Sequence, residues 1–100
     1  MIQAEISVYP MATKTTSVSF YIAKAIESIK DMQNIRYEIN PMGTVIESKD
    51  MDAIFAASKK MTDTVHNLGI KRVEVIIKID SRQDKDVPME QKVDAIKKQI

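Results

Sequence analysis

Four hydrogen-bonding side chains share a pattern that invites chemistry. Ser7 and Tyr9 alternate along one short segment, and Asn40 and Thr44 bracket a Pro-Met-Gly turn. Two hydroxyls, a phenol and a carboxamide offer donors and acceptors together. A cluster of this kind either meets a ligand or serves turn, capping and subunit-interface hydrogen bonds, and the residue types alone leave both open. Glu5 and Asp80 add carboxylates nearby, with Lys78 available as a counter-charge. Catalytic and metal patterns are weaker. His66 is the only histidine and has no second histidine four residues away, so a helical zinc pair is excluded. Asp80, Asp84 and Asp86 could face a hard cation, but their spacing and the missing glycine do not fit a calcium-binding loop, and a solvated loop is the better reading. No nucleophile, base and orienting group stand together, and no GxSxG occurs. Two glycines cannot build a phosphate-cradling loop. The seven methionines read as core and turn filling.

The elements that must position these groups are legible from hydrophobic period. Ile2, Ala4, Ile6 and Val8 alternate with Gln3, Glu5, Ser7 and Tyr9, which predicts a strand with one buried face, ended by Pro10. Ser17 is the expected N-cap of a long amphipathic helix carrying Val18, Ile22, Ala25, Ile26, Ile29 and Met32, to about residue 33. Residues 35–39 predict a second strand. Asn40-Pro41-Met42-Gly43 predicts a hairpin turn with Gly43 in the left-handed position, and residues 44–48 a third strand. Asp50 is the expected cap of a second helix facing inward through Ile54, Phe55, Ser58, Met61, Val65 and Leu68, with Gly69 ending it. Residues 72–80 alternate as a fourth strand. Pro88 opens a short helix bearing Met89, Val93, Ile96 and Ile100.

Strand, helix, strand, strand, helix, strand is the order of a ferredoxin-like split βαβ domain, here with an extra C-terminal helix, in one α+β domain over residues 1–100. In that topology strand three lies between strands one and two. The end of strand one, the start of the first helix and the hairpin then meet at one end of the sheet. Both main helices cover one face. Glu5, Ser7, Tyr9, Ile76, Lys78 and Asp80 occupy the other, which suits a subunit interface or a ligand platform.

Composition narrows the class. A chain of 100 residues buries only about 60–65% of its unfolded surface, so association would help its thin core. A net charge of +1 with dispersed Lys and Arg argues against nucleic acid. The absence of Cys excludes disulfides and thiol chemistry, and no segment reads as a secretion signal or membrane span, so a cytoplasmic protein is expected.

EISVYP, SVSFYIAKAIE, INPMGTVIES and KIDSRQDKD resemble the recurring segments of the thiamine-binding, YkoF-like family, from residue 2 to about residue 97. PMGTVIE and IKID-x-R-x-DK are the most specific of these; Phe20 departs from the pattern, where a charged residue is expected. The resemblance implies a ferredoxin-like fold and a homo-oligomer assembled through its sheets, a tetramer being favoured. It implies a non-catalytic binder with no cofactor and with thiamine, or its hydroxymethylpyrimidine half, as the ligand. On that basis Ser7, Asn40 and Thr44 would read the pyrimidine edge, Tyr9 would stack on it, and Glu5 would offset the thiazolium charge. The competing expectations are a structural or regulatory assembly protein with no small ligand and, third, an enzyme, which a buried carboxylate of raised pKa near the polar cluster would favour.

Overall fold

The computed structural model describes all 100 residues. The elements are β1 (Ile2–Pro10), α1 (Ser19–Ile29), β2 (Arg36–Asn40), β3 (Gly43–Ser48), α2 (Met51–Asn67), β4 (Val73–Ser81) and α3 (Met89–Lys97). One sheet holds the strands in the order β2-β3-β1-β4, all neighbours antiparallel. This is the expected ferredoxin-like arrangement with an added helix.

The alternation in β1 sets the layers. Ala4, Ile6 and Val8 are buried beneath α1 and α2, against Ala25, Ile26 and Ile29 of α1 and Ile54, Ala57, Met61 and Val65 of α2. Each fully buried Ile or Val in this layer contributes about 1.5–3 kcal/mol. In α2, Phe55 and Leu68 are exposed, contrary to expectation, and Ala53 and Ala57 take the buried positions. The ends of α2 are as expected. The Asp50 carboxylate accepts from the Asp52 N–H at 2.9 Å. Gly69 follows the last turn with φ at +97°, the left-handed value that favours glycine.

Three local expectations are corrected. Ser17 is not an N-cap: its hydroxyl lies 3.2 Å from that of Ser19, and α1 begins at Ser19 with no side-chain cap. The threonines and serines of this loop bond to one another instead, Thr13 to the Thr15 carbonyl and Thr15 to that of Ser17. At its other end α1 stops at Ile29, because Asp31, Gln33 and Asn34 have no core face, and Met32 closes a turn onto the Ile29 carbonyl. Finally, Gly43 does not occupy a left-handed position; the only glycine with positive φ is Gly69. Pro41 and Met42 form a two-residue turn, and Gly43 already belongs to β3.

On the face away from α1 and α2 the register lays side chains in rows across the sheet. The first row is Arg36, Glu47, Gln3 and Asp80, one from each strand. The second is Glu38, Val45, Glu5 and Lys78. Beyond it come Asn40 beside Gly43, and Ser7 beside Ile76. α3 is tied to the first row, and the later rows stay open.

Candidate functional site

The sheet's outer end is built from strands of unequal reach. β1 pairs with β3 only as far as Ile6 opposite Thr44, yet runs on to Pro10 against β4. The Pro41–Met42 turn projects beside this unpaired stretch. Between it, the end of β1 and α1 lies a cavity of about 160 Å³. Its walls are apolar and include Ile6, Val8, Ile22, Ala25, Ile26 and Met61. Its rim carries Ser7, Tyr9, Asn40 and Thr44, four of the five residues singled out from sequence.

Thr44 enters from an unexpected side. It pairs with Ile6 and Ile39, so it points into the helical layer, whereas Ser7, Tyr9 and Asn40 belong to the opposite set of alternation. The cavity opens around the end of the sheet and collects both sets. Glu5 is not brought in. It lines a separate depression with Val45, Lys78 and Asp80, one row from Ser7.

Of the rim side chains only Ser7 makes a hydrogen bond within the protein, donating to the Met42 carbonyl at 3.1 Å. Thr44 is 2% exposed. Every fully enclosed side-chain polar atom of the molecule has a partner, so the Thr44 hydroxyl, which has none, is not wholly enclosed, and Thr44 lines the cavity. Tyr9 is 44% exposed, leaving its ring face available for stacking. The arrangement is an apolar slot with a phenol, a carboxamide and a hydroxyl unspent at its mouth. Such a slot suits a flat ring with one apolar side and one hydrogen-bonding edge. Sequence reasoning missed the walls: Val18 and Ile22 read as part of the apolar helix face, but they line a space together with Ile39.

The first row behaves differently. Glu47 is 2% exposed and fully engaged. It accepts from the Met89 N–H at 2.7 Å, from Gln3 at 2.8 Å and from Arg36 at 3.1 Å. Arg36 also meets Glu90, and Lys92 bridges Gln3 and Asp80. Burial alone would raise the Glu47 pKa, but hydrogen bonds from Arg36, Gln3 and Met89 outweigh it and hold the carboxyl below its usual range. Glu90 is pulled down to about 2 by Arg36. The one buried carboxylate is therefore ionised, saturated and at the wrong end of the sheet for acid–base work beside the polar cluster. The loop carboxylates are likewise paired, Asp84 with Arg82, and Asp86 with Lys49 and the Met1 nitrogen. His66 accepts a structural part, its Nδ1 2.8 Å from the Ile70 carbonyl. No helix is long and apolar enough to cross a membrane.

The family model described as "Thiamine-binding protein" matches residues 4–97. The chain belongs to the thiamine-binding protein family. A UPF0045 protein of Methanothermobacter thermautotrophicus is 42% identical, with all of both chains covered. Another, from Methanocaldococcus jannaschii, is 44% identical over 93% of this chain and 89% of its own. A crystal structure of a hypothetical protein from the latter organism superposes with a TM-score of 0.86 at 43% identity, covering 96% and 95% of the two chains. A crystal structure from Thermotoga maritima, assigned provisionally to thiamine biosynthesis or salvage, shares the fold, with a TM-score of 0.78 at 23% identity over 95% and 97%.

Proposed function

We propose that this chain is a non-catalytic, cytoplasmic small-molecule binder that takes the hydroxymethylpyrimidine ring, free or as part of thiamine, into the cavity at the outer end of its sheet. The observation that carries the reading is the set of unpartnered groups of Tyr9, Asn40 and Thr44 over apolar walls, and membership of the thiamine-binding family supports it. A cavity of about 160 Å³ falls short of the roughly 300–1,000 Å³ of pockets for drug-sized ligands. It suits one ring better than two, so the thiazolium of thiamine would stay outside. There Glu5, one row from Ser7 on the open face, is the one charged residue of the five and would offset it. Within the slot Asn40 and Thr44 read the ring edge and Tyr9 stacks. The Ser7 O–H already donates to the Met42 carbonyl, so it offers the ligand only acceptor lone pairs, which an exocyclic amine matches.

The function is exercised in a homo-oligomer, with a tetramer as the favoured state. Ile76 is 61% exposed on the open face, and Val93 and Ile96 of α3 are exposed as well. Those apolar residues also favour the second reading, an assembly protein with no ligand. Calorimetric titration of unfolded and refolded protein with thiamine, and separately with hydroxymethylpyrimidine, divides the two. Saturable micromolar binding of the pyrimidine is expected; heat from neither compound would leave assembly as the function.

A further inference from the structure

The inference concerns the wall of the same cavity and rests on that cavity being the ligand site. We propose that Ser7 and Gly43 are a positioning pair that holds the Pro41–Met42 turn closed, so that the turn is the movable wall through which a ligand enters and leaves.

The turn has little else to hold it. β1 and β3 cease to pair at Ile6 and Thr44, so no ladder hydrogen bond joins the turn to the end of β1. Pro41 and Met42 are exposed, as are Arg36, Tyr37, Glu38 and Ile39 of β2, so no buried apolar side chain anchors this corner of the sheet. The one side-chain tie is Ser7 Oγ donating to the Met42 carbonyl. That tie requires close approach, and Gly43 permits it. A Cβ at position 43 would lie 2.9 Å from Ser7 Oγ, 3.2 Å from the Ile6 carbonyl oxygen and 3.3 Å from Glu5 Cγ. The Ile6 oxygen belongs to a main chain paired on both sides at that residue, so most of the few tenths of an ångström required falls to the turn. Gly43 is needed for proximity, not for backbone conformation. Residues 40–43 all line the cavity, so a displacement of the turn changes the cavity directly.

Ser7→Ala removes the tie, Ser7→Thr keeps the hydroxyl, and Gly43→Ala displaces the turn without deleting any polar group of the rim. Amide hydrogen exchange on the unliganded proteins reads the wall by itself. Losing one hydrogen bond is expected to speed exchange at Met42–Thr44 about fivefold in Ser7→Ala. Gly43→Ala should do at least as much, Ser7→Thr should remain near the parent, and the α2 amides should not change. Unchanged exchange at the turn, or an increase spread equally through α2, would overturn the positioning role. Dissociation of hydroxymethylpyrimidine, followed by stopped flow, should quicken about fivefold in Gly43→Ala; an unchanged rate with a loosened turn would overturn the gating role. Absence of pyrimidine binding to the parent protein would instead sink the proposed function, with the exchange data still deciding whether Ser7 and Gly43 hold the turn.

Discussion

The two ends of the sheet both gather polar side chains, charged at one end and neutral at the other, and put them to opposite uses. At one end Arg36, Glu47, Gln3 and Asp80 form a row in which every charge is answered, and α3 answers through Met89, Glu90 and Lys92. At the other, Tyr9, Asn40 and Thr44 gather around a cavity with their side-chain polar groups unspent. A saturated network fixes an element in place. An unsaturated one, held open by surrounding structure, leaves interaction free energy for something not yet bound. On the proposed reading the first end serves stability and the second recognition.

That division can be broken by mutation. The largest effect is expected from Glu47→Ala, which strands Gln3 and the Met89 N–H and frees Arg36. Arg36 can rehydrate, so the loss is about 2–3 kcal/mol, read as a lower midpoint in urea, with pyrimidine affinity little changed. Thr44→Val should reverse the pattern. Its hydroxyl has no partner inside the protein, so folding stability should hold within about 0.5 kcal/mol while affinity for hydroxymethylpyrimidine falls about five- to tenfold in calorimetry. If both variants lost stability equally, the distinction between the two ends would be wrong.

Acid sharpens the same comparison. The Glu47 and Glu90 pKa values are depressed in the folded protein, so their contribution is complete above the ordinary carboxylate value of 4.5 and is lost as pH falls through the folded values, toward about 2 for Glu90. Circular dichroism and exchange should show α3 loosening between about pH 4.5 and 2 before the α2 core responds. The smallest effect belongs to an ion pair in neither region. Lys59 and Asp63 face solvent one turn apart on α2, and Asp63→Asn should change stability by less than about 0.5 kcal/mol in the same denaturation experiment.

Much of this was readable from the chain. The alternation of Ile2 through Tyr9 determines which face of β1 is buried, and the order of elements determines that β3 sits beside it. That places Ser7, Tyr9 and Asn40 together before any coordinate is known. What could not be read is register and divergence. Thr44 reaches the cavity only because Ile39 and Ile6 flank it on the helical side, a fact of pairing offsets. Glu47 looks like an ordinary strand residue until Gln3 and Arg36 are aligned with it and α3 folds over all three. Gly43 invited a turn explanation because glycine usually serves conformation there, whereas its neighbour Ser7, remote in sequence, supplies the reason. Ser17 had the right chemistry for a cap, but its hydroxyl meets that of Ser19 instead of a backbone N–H of the first turn.

The central claim is that the outer end of the sheet, and not the α3 end, takes the ligand. Titrating hydroxymethylpyrimidine into isotopically labelled protein and following backbone amides by NMR tests it most directly. The account predicts saturable shifts confined to residues 6–9, 18–26 and 40–44, with Glu47, Met89 and Lys92 unmoved. Shifts centred on α3 and its row, or no saturable shift at all, would contradict it.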